Sequence, residues 1–493
     1  MNHDRHLIVL GLLGIVVFAS LFVPPFIAAM LIPVAVIGVL LLGHPRILIF
    51  TYLWIMGVIA FLQTVVPIAQ IKYFDEVFGV TLFGIFFGHI AVRKMSFTDG
   101  KTLGRIAIIM FGFILLTWLA NRGGLRPALQ TMMSYFSFIP AYIIAIRHLK
   151  KSDYKLLIIG TIIFFWINFF LSVGWLTDIN PLPLPPRIVR IDRGVGTLGA
   201  CNYVAYFCVM FFFLLASMLR SSLPLGKTLR IWMKITLIGN FVMLYLTYTN
   251  HAYMLFALVL IPYFLISGLW KKWWAIGGAA VVIFTLPFLI ASSEELQENF
   301  SSENLTYRYE KISDSAKFQL YNQLLIKNLN KDFKHWLIGA GPGDGIGPIG
   351  KDNMTPFALK MLLPFYQRTG QEMQQMQMTS ITGNTTSGIF TIWGDFGLIG
   401  FLIFLSFYIW LVTICLRYSL KRDRKQSTVI AEFLVPSLFF FLMVNILIDL
   451  VAIEAIVIWL WIWAAVLKLS KDDELINEQK TENGRNNSTI RVN

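Results

Sequence analysis

The sequence is poor in charged residues and in cysteine, and both shortages limit the kinds of protein that it can encode. Only 14% of its 493 residues are charged and 57% are hydrophobic, which is far from the composition of a soluble globular domain. The three cysteines all lie in or beside apolar segments, so no disulfide framework supports an extracellular loop. Outside the apolar segments, histidine and acidic residues lack metal-ligand spacing, so we expect no metal and no other cofactor. The chain is therefore predicted to be an integral membrane protein.

Membrane-length apolar runs are what the sequence has in abundance. A helix needs roughly 20 apolar residues to cross the hydrocarbon layer, and this criterion gives about fourteen candidate spans. They are 7–23, 26–42, 47–69, 77–92, 106–120, 128–146, 156–176, 196–218, 235–249, 251–270, 273–291, 389–415, 429–450 and 451–469. The splits within 235–270 and 429–469 are the least distinct. The predicted fold class is all-α, a polytopic membrane helix bundle with about 14 transmembrane helices.

One long polar segment interrupts the apolar runs and divides the chain. Residues 1–291 are predicted to carry helices 1–11, and residues 389–469 to carry helices 12–14. Between them, 292–388 is predicted to form a large extracytoplasmic loop domain of short amphipathic helices. One of these helices runs to Leu329, because apolar residues recur at helical spacing before it. The tail 470–493, rich in Asn, Glu and Lys, is predicted to be disordered and cytoplasmic.

The distribution of basic residues predicts the orientation. Placing both termini in the cytoplasm puts most of the 41 Lys and Arg residues on the cytoplasmic side, as the positive-inside rule requires. The long loop then lies on the outer face. The net charge of +14 is thus explained by orientation and by attraction to anionic lipid head groups, and not by nucleic acid.

Three arginines on the predicted outer face suggest an anion site. Arg187, Arg190 and Arg193 follow the stiff, proline-rich segment 180–186 and precede the helix expected to start near Thr197. Guanidinium groups beside free N–H groups at a helix start bind anions. The alternative is that these side chains anchor the helix to lipid phosphates.

Further candidates come from a helix junction and from the long loop. His251 lies between two short apolar segments, where it could bind an anion, act as a base or satisfy a backbone carbonyl. Arg308 and Lys317 lie near the N-terminal end of the amphipathic helix in the long loop. The glycine-rich run 339–350 nearly fits nucleotide-binding patterns, but Asp352 stands where Ser or Thr is needed. We interpret the run as a flexible loop near the site, able to approach a phosphate with its backbone.

The order and spacing of these motifs resemble the bacterial O-antigen polymerase and ligase family of polytopic membrane glycosyltransferases. The resemblance spans roughly 190–415. It is carried by the Arg- and Gly-rich stretch 193–202, the junction 248–251, Lys317 ahead of Tyr321, the Gly-x-Gly-Pro-Gly turn 339–343, and the polar helix start 385–387 before Asp395. The family's ligases carry a histidine where this chain has Thr386, so the resemblance favours the polymerase branch.

The resemblance implies transfer of a glycan from undecaprenyl pyrophosphate to a sugar hydroxyl of another lipid-linked repeat unit, at the periplasmic face of the bacterial inner membrane. The product would be O-antigen, capsule or exopolysaccharide. Alternatives are a ligase acting on lipid A-core, or a non-enzymatic flippase of lipid-linked oligosaccharide. The donor and acceptor glycolipids and the bilayer are the expected partners, and chain-length regulator and flippase proteins are further candidates.

The resemblance also implies roles for individual residues. The candidate catalytic residues are Arg193, His251, Arg308 and Lys317. The candidate substrate-binding residues are Arg187, Arg190, Asn202, Tyr321, Gly341, Gly343, Thr385, Thr386, Ser387 and Asp395. The general base that deprotonates the acceptor is left open among His251, His335, Glu372 and Asp395.

Overall fold

The computed structural model describes residues 45–65, 74–91, 102–177, 179, 196–198, 200–247, 249–269, 333–344, 388–421, 425–447 and 454–489. Within these ranges the regular elements are all helical. The α-helices are α1 (Pro45–Val65), α2 (Phe74–Ala91), α3 (Thr102–Asn121), α4 (Leu125–Phe136), α5 (Phe138–His148), α6 (Tyr154–Leu176), α7 (Cys201–Arg220), α8 (Lys227–Leu246), α9 (Asn250–Ser267), α10 (Phe333–Ile338), α11 (Gly388–Ser419), α12 (Gln426–Leu447) and α13 (Glu454–Thr489). Short 3₁₀ turns lie at Lys151–Asp153 and Gly196–Leu198.

Six of the described helical segments are long and apolar enough to cross a membrane. They are Thr102–Asn121, Lys151–Leu176, Cys201–Arg220, Lys227–Leu246, Thr391–Ser419 and Gln426–Ile446. A seventh span results if the bent pair α4 and α5 crosses as one unit. The all-helical membrane class is therefore confirmed. The predicted count of about fourteen stays a prediction, because 7–23, 26–42, 273–291 and most of 292–388 lie outside the described residues.

The structure refines several predicted boundaries. The predicted span 128–146 is two helices, α4 and α5, that meet at Ser137 with a bend of 47°. Pro140 explains the break, since its ring would clash with the carbonyl of Phe136 in a continuous helix. The two uncertain splits are confirmed, because α8 and α9, and likewise α12 and α13, are separate helices.

The C-terminal helix differs from expectation. Helix α13 continues to Thr489, through most of the tail predicted to be disordered. Lys468 pairs with Asp472 one turn later at 2.7 Å, and Glu474 accepts hydrogen bonds from Ser427 at the start of α12. These contacts continue the helix past its apolar part, which a composition argument does not detect.

Aromatic side chains fill the centre of the bundle, where α5, α7, α11, α12 and α13 pack together. Trp461 of α13 stacks on Phe138 of α5 with ring centroids 4.7 Å apart. Tyr408 of α11 stacks on Phe441 of α12 at 5.2 Å. Such ring pairs contribute about 0.5–1.5 kcal/mol each beyond area burial. Close packing of this kind matters in a membrane, because lipid supplies no hydrophobic drive between helices.

The helix ends predicted to be cytoplasmic meet at one end of the bundle, here called the paired end. Arg46 of α1 forms an ion pair with the buried Asp153. Lys151 pairs with Asp473 at 3.0 Å, and its carbonyl accepts a hydrogen bond from Gln426 at 2.8 Å. The structure thus brings together ends that the charge rule assigns to one side, whereas the assignment of that side to the cytoplasm stays a prediction.

Candidate functional site

A break in α11 shapes the opposite end of the bundle. Gly397 has φ 62° and ψ −170°, a conformation that is essentially restricted to glycine. A Cβ at this position would lie 2.4 Å from backbone atoms of Leu337 and Ile338. The break therefore allows the end of α10 to pack directly against the α11 backbone.

The segment Gly339–Asp344, here called the glycine turn, is held in this break by its backbone. Gly339, Gly341 and Gly343 all have positive φ. The N–H of Ala340 donates to the carbonyl of Gly394 at 2.9 Å, and that of Gly341 donates to the carbonyl of Asp395 at 3.0 Å. These contacts join the turn to the last residues of α11 before its break.

Asp395 completes the attachment with its side chain. Its carboxylate is 1% exposed and accepts the N–H of Gly343 at 2.9 Å. The predicted flexible loop is thus wrong for residues 339–344. The suggested approach of its backbone to a phosphate is also unsupported there, because these N–H groups already bond within the protein. A carboxylate among them further disfavours an anion.

Asp344 ends the glycine turn with a half-buried carboxyl group. Burial raises its pKa above the usual range, and a hydrogen bond from the backbone N–H of Gly124 partly opposes that shift. A Cβ at Gly123 would lie 2.4 Å from its Oδ2, and a Cβ at Gly341 would lie 3.3 Å away. Two glycines therefore make the space in which this carboxyl group lies beside the start of α4. Sequence reasoning missed it, and the only signal was an acidic residue directly after the glycine turn.

Asn121, at the end of α3, lies beside the glycine turn. Its Nδ2 donates to the carbonyl of Gly339 at 3.2 Å. Its Oδ1 is buried without a hydrogen-bond partner among the described residues. A buried acceptor of this kind is uncommon in folded proteins. Lys334 approaches from α10 and donates to the carbonyl of Ala120 at 3.1 Å.

A second group of predicted site residues lies where α7 and α9 meet. His251, in the first turn of α9, bonds through Nε2 to the hydroxyl of Tyr206, whose ring centroid is 5.5 Å away. Asn202 is one turn before Tyr206 on α7, so both are on the same face, and its Oδ1 accepts from Cys201 at 3.1 Å. The structure thus brings His251 near the face of α7 that carries Asn202.

The Gly-x-Gly-Thr motif begins its helix later than predicted. Gly196 has φ 51°, a left-handed value that excludes it from an α-helix, and α7 begins only at Cys201. Thr197 donates through its N–H to Asn168 Oδ1 at 2.7 Å and through its hydroxyl to the carbonyl of Gly57 at 2.8 Å. Its N–H is therefore engaged inside the bundle and does not serve the predicted anion site.

Most of the remaining predicted site residues and candidate bases lie outside the described residues. They are Arg187, Arg190, Arg193, Arg308, Lys317, Tyr321, Glu372, Thr385, Thr386 and Ser387. His335 lies in α10, and its carbonyl accepts the N–H of Gly339 at 2.8 Å. Among the residues that the structure describes, no three His, Cys, Asp or Glu side chains are grouped to hold a metal ion. Metal independence stays a prediction.

Comparison with known proteins does not assign the chain to a family. No protein-family model matches the chain, and no curated protein matches it. The resemblance to O-antigen polymerases and ligases therefore depends on the order and spacing of its motifs alone.

Proposed function

We propose that this chain is a membrane glycosyltransferase that polymerises lipid-linked oligosaccharide repeat units on the outer face of the bacterial inner membrane. The main support for this proposal is that the carboxyl group of Asp344 lies half-buried at the end of the bundle opposite the paired end. It supplies the general base that the motif resemblance leaves open. Its position beside membrane helices suits an acceptor presented by a lipid.

The proposed reaction needs one proton acceptor and one site for a leaving pyrophosphate. The acceptor hydroxyl attacks the anomeric carbon of the donor glycan, a new glycosidic bond forms, and the bond from that carbon to the pyrophosphate oxygen breaks. The hydroxyl proton goes to the Asp344 carboxylate, and the lipid pyrophosphate departs with the bonding electrons. A base works best when its pKa approaches the working pH, and burial moves the pKa of Asp344 in that direction.

Neighbouring groups support binding of a sugar at this place. The side chains of Asn121 and Asp344 border the same space beside Gly341, and amide and carboxylate groups of this kind bond to sugar hydroxyls. Lys334, whose Nζ donates to the carbonyl of Ala120, and the exposed Arg122 and Arg126 supply positive charge at this end of the bundle, which favours a departing diphosphate. Arg193, Arg308 and Lys317 stay part of the proposal as further cations.

Reconstitution tests the proposal directly. The purified full-length chain in vesicles, supplied only with lipid-linked repeat units, should produce a ladder of longer glycans on a gel. Asp344→Asn should abolish the ladder, because the amide cannot take the proton but keeps an acceptor for Gly124. Asp473→Asn, which alters a carboxylate at the paired end, is the matched control and should leave the ladder intact.

The alternatives give different results in the same vesicles. Transport of the glycolipid without elongation would identify a flippase, and transfer only when lipid A-core is added would identify a ligase. An Asp344→Asn protein that makes a normal ladder would remove Asp344 as the base while leaving the polymerase reading in place.

A further inference from the structure

An apolar groove lies between α2, α3 and α4 and reaches the α3–α4 turn. Its cavity volume is 450 Å³, and its walls come from α2, α3 and α4. The lining residues are Phe87, Ile108, Phe111, Ile114, Leu115, Trp118, Leu125, Ala128, Leu129 and Met132. From Ile108 to Trp118 the groove follows α3 for about 15 Å, at 1.5 Å per residue. Leu115, Leu125 and Leu129 are each about half exposed, so the groove is open on one side.

The end of the groove at the α3–α4 turn, here called its mouth, is flanked in the sequence by two arginines that are not among its lining residues. Arg122 and Arg126 are exposed on the turn and first residues that connect α3 to α4, and neither pairs with a carboxylate among the described residues. They flank Leu125, which lines the groove. Cations at the predicted outer face run against the positive-inside bias, so their presence needs another reason.

The mouth is built as part of the candidate site. Trp118 lines the groove and donates through Nε1 to the carbonyl of Gly123 at 2.8 Å. Gly123 in turn borders the carboxyl group of Asp344. Trp118 and Gly123 therefore place the groove next to the proposed base in the fold, although Asp344 is distant in the sequence.

We propose that this groove holds the isoprene units nearest the head group of a polyprenyl phosphate or pyrophosphate carrier, with Arg122 and Arg126 binding its phosphate. The inference rests on the proposed function, and it names the position of one lipid substrate. An apolar groove below a cationic mouth complements an amphiphile that has one anionic head and one long apolar chain. One groove suits a single branched chain, whereas a diacyl phospholipid would leave its second chain outside. Forked guanidinium donors match phosphate oxygens.

Photolabelling tests the site without requiring catalysis. The full-length chain in neutral phospholipid vesicles is mixed with a radiolabelled polyprenyl phosphate that carries a diazirine in its isoprenoid chain. After irradiation, the label should map to peptides of α3 and α4. The double variant Arg122→Gln, Arg126→Gln should weaken labelling about 25-fold, taking about fivefold for each cation removed from a lipid phosphate. Arg105→Gln, at the other end of α3, is the matched control and should label normally.

A second pair of variants tests the groove itself. Leu129→Trp fills the groove and should reduce labelling, whereas Leu116→Trp, on the exposed side of α3 outside the groove, should not. Normal melting temperatures for both proteins show that they fold. Label in another part of the chain, equal competition by phosphatidylglycerol or inorganic phosphate, or full labelling of the double arginine variant would each overturn the proposal.

The outcomes also separate this inference from the proposed function. Labelling at α3 and α4 without a glycan ladder would leave the carrier site intact and remove the polymerase. A ladder that survives the loss of both arginines and the filling of the groove would keep the polymerase and remove the carrier site.

Discussion

Substitution of Gly397 by alanine tests whether the break in α11 builds the candidate site. Two costs add at this position. The observed φ and ψ are nearly restricted to glycine, which costs alanine about 1–3 kcal/mol. The new Cβ would lie 2.4 Å from backbone atoms of Leu337 and Ile338, and forced overpacking costs about 1–3 kcal/mol more. We expect a total destabilisation of about 2–6 kcal/mol.

The measurement is thermal unfolding of the purified protein in detergent. The expected fall in melting temperature is about 3–10 °C, scaled from the behaviour of smaller domains. Gly112→Ala is the matched control, because Gly112 lies inside α3 with open space where an added Cβ would lie, and alanine should stabilise a helix interior by about 0.5–1 kcal/mol. Equal melting temperatures for the two variants would refute the account of the break. Because the glycine turn rests on the break, Gly397→Ala should also lose the glycan ladder at temperatures where it remains folded.

Three further predictions test the carboxyl group, the buried threonine turn and the orientation. Burial raises the pKa of Asp344, so the folded chain holds this proton more tightly than the unfolded chain, and stability should fall as pH rises from the usual carboxyl pKa through the raised one. Asp344→Asn should remove this pH dependence of stability, as measured by melting curves recorded across the same pH range. Thr197→Val removes the hydroxyl that bonds to the carbonyl of Gly57 and should lower the stability of the protein by about 0.5–1.5 kcal/mol. An unchanged melting temperature would show that this hydrogen bond does not stabilise the fold. Since the native cysteines are buried, an impermeant maleimide on intact spheroplasts should label Arg126→Cys but not Lys421→Cys, and the opposite pattern would invert the topology.

Helix positions were largely predictable from the sequence because membrane helices follow directly from runs of apolar residues. The segments that became α3, α6 and α7 are apolar for long enough to satisfy the length criterion without any tertiary information. The bend at Ser137 was detectable in principle, since Pro140 lies just beyond it. The break in α11 was harder to predict, because glycine is common in transmembrane helices. Only the contact with α10 explains why Gly397 has a non-helical conformation.

The candidate site was harder to predict because its parts are distant in the sequence. Asn121 contacts Gly339 across more than two hundred residues, and Gly124 contributes to the pKa of Asp344 across a similar separation. Motif order drew attention to Asp395 and the glycines, yet their polar groups bond to one another and hold the turn in shape. The carboxyl group proposed as the base is the neighbouring Asp344, whose partial burial raises its pKa and is not encoded in any motif.

The two ends of the bundle use the same residue type in opposite ways. At the paired end, Arg46 and Arg220 are matched by Asp153 and Glu432, so the charge of each is balanced within the protein. At the other end, Arg122 and Arg126 are exposed and have no carboxylate partner among the described residues. Because both side chains are exposed and form no ion pair with a described carboxylate, loss of either arginine should cost the fold little. Their charge is therefore available to a ligand, and the carrier site proposed above would use it to bind a lipid phosphate.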